Sequence, residues 1–289
     1  MEQQVKFLLV SNARSGSTWL QTSLARLPDI STDHEILFRK GYHGNGTPPL
    51  HVFVDAGWSA TTFLSALAPE SSVVGSRLVL VGFGANHVSH LTELASAIDP
   101  EIRIVQVTRS YWDCFKSSMR GHYDLLSDHE LEKSDYGNSA LSQTALWATM
   151  SEHGKTNSQI TELAISAQSL EDSRTFLIKL FTNDLMLLEL YRRAKKAMRV
   201  PYDEIGIRFH EIAAFLGSQA AMEDCAAIIN RPVTNKLPPI PDQAIRNYQQ
   251  LMELTEVLEN GMRIVVANNI PFDEVWTSSG LNIPRSVGN

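Results

Sequence analysis

Cysteine is scarce in this chain, and its scarcity excludes several kinds of protein. Only two cysteines, Cys114 and Cys225, occur in 289 residues, and they lie far apart in the sequence. Two isolated cysteines match neither the spacing of a metal site nor that of a redox motif. We therefore exclude a small scaffold held together by disulfides, and we expect the protein to reside in a reducing compartment.

Long hydrophobic runs are also missing. A membrane-spanning helix needs about 20 consecutive apolar residues, and no stretch of this sequence comes near that length. The N-terminal residues lead directly into a short apolar stretch, Phe7 to Val10, without the hydrophobic core or the cleavage site of a signal peptide. We therefore expect a cytoplasmic protein without a membrane span.

Basic residues are outnumbered, which limits the partners of the protein. The chain has 25 Lys and Arg residues against 32 Asp and Glu residues, so its formal net charge is -7 at pH 7. Binding to nucleic acid or to an anionic membrane requires a basic surface, and we expect neither partner. An anionic ligand of this protein must therefore be held by a local cluster of donors.

The apolar segments alternate in character along the chain, and this alternation indicates the fold class. Runs typical of buried strands occur at 5–11, 73–81, 102–107 and 198–202. Helical spacing of apolar residues occurs at 19–27, at 90–98, from 112 onward, throughout 139–198 and at 242–259. The pattern predicts an α/β fold with a doubly wound parallel sheet. We expect a single domain, 1–289, with a helical insertion at 139–198.

The loop after the first predicted strand is typical of an anion-binding site. It reads Arg14-Ser15-Gly16-Ser17-Thr18 and leads into a helix, whose first backbone N–H groups and dipole attract anions. Gly16 allows the backbone to close around an oxyanion. The loop is not the P-loop of nucleotide triphosphatases, because no lysine follows the glycine. An ordinary helix capped by a serine or threonine side chain is the alternative interpretation.

A second polar segment follows the strand at 102–107. Arg109 leaves the end of this strand, and Ser117 follows eight positions later. In a doubly wound sheet the carboxyl ends of neighbouring strands border one crevice. The two segments together therefore predict a ligand with two separated anionic groups. The alternative is that Arg109 forms an ion pair with Asp113 at the start of the next helix.

These segments resemble the sulfotransferases that use 3'-phosphoadenosine 5'-phosphosulfate (PAPS), especially the bacterial members. The segment 14–19 resembles their P-loop-like 5'-phosphosulfate loop, with arginine in place of the usual lysine, and 107–117 resembles their 3'-phosphate motif. The segment 200–205, followed by Phe215-Leu216-Gly217, is similar to the strand end and helix of the family, and 235–238 is similar to its C-terminal segment. The resemblance implies that the chain is a PAPS-dependent sulfotransferase.

The resemblance also implies a role for individual residues. Arg14 would contact the 5'-phosphate and assist transfer of the sulfuryl group, while Arg109 and Ser117 would hold the 3'-phosphate. Trp19 would stack on the adenine, and Tyr202 would approach it. The full set of residues that would bind the co-substrate is Arg14, Ser15, Gly16, Ser17, Thr18, Trp19, Arg109, Ser117, Tyr202 and Lys236.

Sulfuryl transfer requires a base that removes a proton from the acceptor. The segment around Glu35 resembles one that supplies a catalytic glutamate in some bacterial members, so we predict Glu35 as the base, with His34 or His87 as substitutes. A solvated acidic turn is the alternative interpretation of this segment. Arg77 is a further candidate for binding the sulfuryl group, and a surface arginine at the end of a strand is the alternative interpretation. We expect no metal ion, because arginine, hydroxyls and a helix N-terminus can stabilise the charge of the transferred group.

The sequence leaves the acceptor and two other functions open. A sugar, a lipid, a polyketide or a phenol could be the acceptor, and a carrier domain could present it; the segment 139–198 is the expected binding part. A small-molecule or nucleotide kinase is one alternative, although the missing Gly-Lys-Ser/Thr motif speaks against it. A sensor that binds PAPS or its product 3'-phosphoadenosine 5'-phosphate (PAP) without catalysis is the other.

Overall fold

The structure is a computed structural model, and it describes residues 4–35, 71–80, 99–124, 170–230, 242, 245, 247–277 and 280–281. Its strands are β1 (Val5–Asn12), β2 (Ile30–Glu35), β3 (Val73–Leu80), β4 (Arg103–Thr108), β5 (Ala197–Pro201), β6 (Trp276–Thr277) and β7 (Gly280–Leu281). Its helices are α1 (Ser17–Leu24), α2 (Tyr111–Asp124), α3 (Leu170–Arg193), α4 (Phe209–Leu216), α5 (Met222–Ile229), α6 (Tyr248–Ala267) and α7 (Phe272–Val275).

Five strands form one sheet in the order β2-β3-β1-β4-β5, and every neighbouring pair is parallel. The middle of the central strand β1 is apolar and buried, since Phe7, Leu9 and Val10 have no exposed surface. Both neighbours of β1 come later in the chain, on opposite sides of it. The carboxyl end of β1 therefore lies where the strand order reverses, which is the usual ligand crevice of such sheets.

Helices cover both faces of the sheet. Successive side chains of a strand point to opposite faces, and Phe7 and Leu9 share a core with Leu20 of α1 and Phe209 of α4. On the other face, the side chain of Asn12 bonds to α3. The predicted α/β fold with a doubly wound parallel sheet is thereby confirmed.

The element boundaries differ from the predicted ones in three places. Helix α1 ends at Leu24 instead of 27, and α3 ends at Arg193, so that β5 begins before 198. Helix α6 spans Tyr248–Ala267 instead of 242–259. Asn247 precedes it with a φ of 59°, a left-handed conformation that separates the helix from the residues upstream.

The described chain divides into two compact units. The first contains 1–109, 182–236 and 271–280, and it includes the five-stranded sheet; the second contains 110–181, 237–270 and 281–289. The predicted single domain stays a prediction. The predicted helix at 90–98 and residues 139–169 of the predicted insertion lie outside the described residues. No helix in the described ranges combines the length and apolarity needed to cross a membrane.

An acidic residue connects two side chains of α2 within the second unit. Asp242 accepts hydrogen bonds from Trp112 Nε1 at 3.1 Å and from Lys116 Nζ at 3.0 Å. The bond from Lys116 and, less strongly, the one from Trp112 hold the pKa of the Asp242 carboxyl below its ordinary value. Trp112 also stacks on Phe115, with ring centroids 5.4 Å apart. These contacts fix the N-terminal half of α2.

Candidate functional site

The loop between β1 and α1 adopts a backbone shape suited to anion binding. Gly16 is the N-cap of α1 with a φ of 95°, and Arg14 also has a positive φ, 63°. No side chain caps the helix, so the alternative of an ordinary helix capped by serine or threonine is not what the structure shows. The helix N-terminus therefore faces the crevice without a side-chain cap, and its dipole favours an anion there.

The three hydroxyls of this loop lie in different surroundings. Ser17 accepts a hydrogen bond from Ser11 at 2.9 Å, and Thr18 accepts one from the guanidinium of Arg77, a residue of β3. The hydroxyl of Ser15 is buried and has no hydrogen-bond partner among the described residues. Buried polar atoms are normally satisfied, so the Ser15 hydroxyl is suited to a ligand.

Arg109 joins this loop from the neighbouring strand. Its Nη1 donates to the backbone carbonyl of Arg14 at 3.0 Å, and its guanidinium lies 4.3 Å from the ring centroid of Tyr202. Its Nε is buried without a hydrogen-bond partner in the described part of the chain. The structure thus brings Arg14 and Arg109 together at the carboxyl edge of the sheet, as their positions in the sequence predict.

Tyr202 forms an aromatic pair beside the loop. It lies in a short 3-10 turn, Tyr202–Glu204, directly after β5. Its ring centroid is 5.8 Å from that of Trp19, in an edge-on arrangement. Half-buried aromatic side chains of this kind bind planar rings by stacking. The pair thus places an aromatic surface next to Arg109.

For the predicted base and for Lys236, the structure describes only the backbone or nothing. Glu35 and His34 lie in β2, where the backbone of Glu35 pairs in register with that of Arg77; their side chains, together with all of His87 and Lys236, fall outside the described residues. Residues 33–35 are therefore the end of a strand and not a turn. Ser117 is half-buried in α2, within the second unit.

Two contacts of the site were not anticipated from the sequence. Ser11 was part of a predicted strand, but its hydroxyl donates to Ser17. Gly16 was expected to give room to an anion, yet it also gives room to an aromatic ring, since a β-carbon there would lie 2.2 Å from Tyr202 Cδ2. No local pattern could have revealed this second contact, because the two residues are distant in sequence. Within the described ranges, no group of three or more His, Cys, Asp or Glu residues could hold a metal ion.

Replacing Gly16 by alanine should destabilise the loop and displace Tyr202. The left-handed backbone alone costs a non-glycine residue about 1–2 kcal/mol, and the new β-carbon would clash with the tyrosine ring. We expect a lower melting temperature and a loss of ligand binding. Gly206→Ala is the matched control, since its β-carbon would approach Trp19 only to 3.7 Å. A Gly16→Ala variant with the stability of the wild type would contradict this account.

This chain is similar to known proteins in its structure but not in its sequence. No protein-family model and no curated protein matches the sequence. The chain is similar to the crystal structure of mouse sulfotransferase SULT7A1 in complex with PAP, with 16% identity and a TM-score of 0.40. The match covers 79% of this chain and 63% of the mouse chain, so this chain spans less than two thirds of that protein.

A second similar structure is the sulfotransferase domain of the olefin synthase from Synechococcus PCC 7002. Its identity to this chain is 13% and the TM-score is 0.41, with 90% of this chain and 97% of that chain covered. Both structures are sulfotransferases, the family that the sequence motifs resemble. At these identities and TM-scores, neither assigns a role to any residue of this chain.

Proposed function

We propose that this protein transfers the sulfuryl group of PAPS to a hydroxyl or amine of a small-molecule acceptor. The observation that carries the proposal is the position of Arg109, whose guanidinium lies between the Arg14 carbonyl and the Tyr202 ring. A cationic residue, an anion-binding loop and an aromatic surface thereby meet at one edge of the sheet. This combination of features suits a nucleotide with separated anionic groups.

The described residues fit such a nucleotide in charge and in hydrogen bonding. In this proposal the N-terminus of α1 and Arg14 bind the 5'-phosphosulfate, while Trp19 and Tyr202 contact the adenine. Arg109 binds the 3'-phosphate. Two buried donors, the Ser15 hydroxyl and Arg109 Nε, have no partner among the described residues, and anionic oxygens would satisfy both. Ser117 and Lys236 remain predicted ligands of the same phosphate.

The chemical step in this proposal is an in-line displacement at sulfur. The acceptor oxygen or nitrogen forms a new bond to sulfur while the bond between sulfur and the 5'-phosphate oxygen breaks. PAP leaves, and the proton of the acceptor passes to a base. Positioning and charge stabilisation supply most of the catalysis in the related transfer of phosphoryl groups. Arg14 and the helix dipole would stabilise the charge that develops on the leaving phosphate.

Glu35 is the proposed base. Its backbone pairs with Arg77, and Arg77 in turn donates a hydrogen bond to Thr18 of the loop. Strand β2 thus places Glu35 directly beside Arg77 of β3, and Arg77 contacts the anion-binding loop at residues 14–18. His34, its neighbour in β2, is the first substitute for this role, and His87 is the second.

PAP should bind without a metal ion and stabilise the fold. At about 100 times its dissociation constant, a ligand that binds only the folded state adds about 2.7 kcal/mol to the free energy of unfolding. We expect PAP to raise the melting temperature in the presence of a chelator, and magnesium-ATP to raise it less. A preference for magnesium-ATP would contradict the proposal in favour of a kinase.

Turnover separates a sulfotransferase from a sensor of PAP. Incubation with PAPS and a panel of sugars, lipids, polyketides and phenols should give an acceptor with the added mass of one sulfuryl group, measured by mass spectrometry. The Arg14→Ala variant is the control, because it should form no product. Tight binding of PAP without transfer to any acceptor class, including one attached to a carrier domain, would favour the sensor.

A further inference from the structure

The middle of α3 contains a buried polar segment. Thr182, Asn183 and Asp184 are 3%, 2% and 4% exposed, and they interrupt a helix whose other buried residues are mostly apolar. All three belong to the first compact unit. A buried carboxylate is costly unless hydrogen bonds satisfy it. The buried carboxylate of Asp184 therefore calls for hydrogen-bonding partners.

One partner of this carboxylate is the last residue of β1. Asn12 is itself 4% exposed, and its Nδ2 donates to Asp184 Oδ1 at 3.1 Å. Asn12 comes two positions before Arg14, so the bond connects α3 to the point where the anion loop begins. The loop that follows has positive φ values at Arg14 and Gly16, a conformation that requires support from its surroundings.

We propose that Asp184 is a positioning residue that acts through Asn12 on the loop formed by residues 13–18. Its relevance to catalysis rests on the proposed function. In this proposal the bond between Asp184 and Asn12 fixes the end of β1, in addition to the bond from Arg109 to the Arg14 carbonyl near the crevice. Catalysis by positioning depends on such supports, because a displacement of about 1 Å can cost about 10²-fold in rate.

Charge and packing both indicate that Asp184 serves the geometry of the loop. A negative charge in the unit that contains an anion site opposes anion binding. An apolar side chain of similar volume would also fill the space without the cost of burying a carboxylate. Neither packing nor affinity for an anion therefore explains an aspartate at this position. The directed bond from Asn12 gives the carboxylate a role at the end of β1.

Four variants test the proposal. Asp184→Leu keeps the branched shape in a larger side chain but removes the acceptor, and Asn12→Ala removes the donor. Asp184→Asn keeps an oxygen that can accept the bond from Asn12. Ser23→Ala is the control, because Ser23 is buried in α1 and its hydroxyl has no hydrogen-bond partner among the described residues. The readouts are the melting temperature, hydrogen exchange of the backbone amides of 13–18 without nucleotide, and the single-turnover rate of sulfuryl transfer.

We expect faster amide exchange at 13–18 in Asp184→Leu and Asn12→Ala, together with a transfer rate lower by about 10²-fold. The double variant should lose no more than either single variant, because both changes break the same bond. Asp184→Asn and Ser23→Ala should behave like the wild type. If Asp184→Leu does not fold, the test uses amide exchange and transfer rate in Asn12→Ala and Asp184→Asn. The proposal then requires that Asn12→Ala shows both losses and that Asp184→Asn shows neither.

Unchanged exchange at 13–18 in Asn12→Ala would overturn the proposal, as would losses in the double variant that simply add. A lower melting temperature with normal exchange and transfer would show that the bond only stabilises the fold, and this would overturn it as well. Failure of the proposed function gives a different result. The wild type would then neither bind PAP nor transfer a sulfuryl group, while the exchange measurement would still report whether Asp184 and Asn12 hold the loop.

Discussion

Replacing Glu35 by glutamine should lower the single-turnover rate of sulfuryl transfer by about 10²–10⁴-fold, the usual contribution of a positioned general base. Glutamine has nearly the same volume as glutamate but cannot accept the proton of the acceptor. Glu35 lies at the end of β2 and pairs with Arg77 through the backbone, and the substitution leaves this pairing intact. The melting temperature and the affinity for PAP should therefore stay close to those of the wild type.

The control for this effect is Arg14→Ala, which should impair both PAP binding and transfer because Arg14 is the proposed contact of the 5'-phosphate. Product affinity and transfer rate are measured on the same preparations. Near-normal transfer in Glu35→Gln would show that a group other than Glu35 accepts the proton of the acceptor. His34→Ala and His87→Ala would then show which histidine accepts it.

Replacing Arg109 by alanine should weaken PAP binding by about 10–100-fold, since a hydrogen bond to a charged group contributes about 1.5–3 kcal/mol. The substitution removes the proposed contact to the 3'-phosphate. It also removes the bond to the Arg14 carbonyl and the cation above the Tyr202 ring. The wild type should bind PAP more tightly than AMP, which lacks the 3'-phosphate, and the variant should discriminate little between them.

Arg26→Ala provides the matched control for the lost charge, because Arg26 is exposed just beyond the end of α1. Titration calorimetry with PAP and AMP on the wild type and on both variants gives the six affinities that are needed. If the wild type binds PAP and AMP equally well, the assignment of Arg109 to the 3'-phosphate is wrong. Equal losses for both nucleotides in Arg109→Ala would instead mean that the residue acts only through the loop.

The sequence was most informative about the sheet, because buried parallel strands have a simple local signature. The predicted strands at 5–11 and 73–81 agree with β1 and β3 to within one residue. Helix boundaries were less certain, since apolar periodicity does not record where a left-handed residue such as Asn247 interrupts the chain. The strand β2 was not predicted at all. Its polar residues, Ser31 to Glu35, lack the apolar run that identifies the other strands.

For the candidate site, the sequence by itself determined the loop and its neighbour. A glycine- and serine-rich turn between strand and helix, and an arginine directly after another strand, are local patterns with a direct physical meaning. They sufficed to predict that Arg14 and Arg109 lie at one edge of a parallel sheet.

Only the tertiary structure decided which side chains meet there. The ring of Tyr202 against Gly16, the bond from Arg77 to Thr18 and the bond from Asn12 to Asp184 each join segments that are distant in sequence. Such contacts depend on strand order and on the helix that covers each face, and neither is encoded in a local pattern. The sequence therefore specifies the chemical groups of the site, whereas the packing of helices on the sheet specifies their partners.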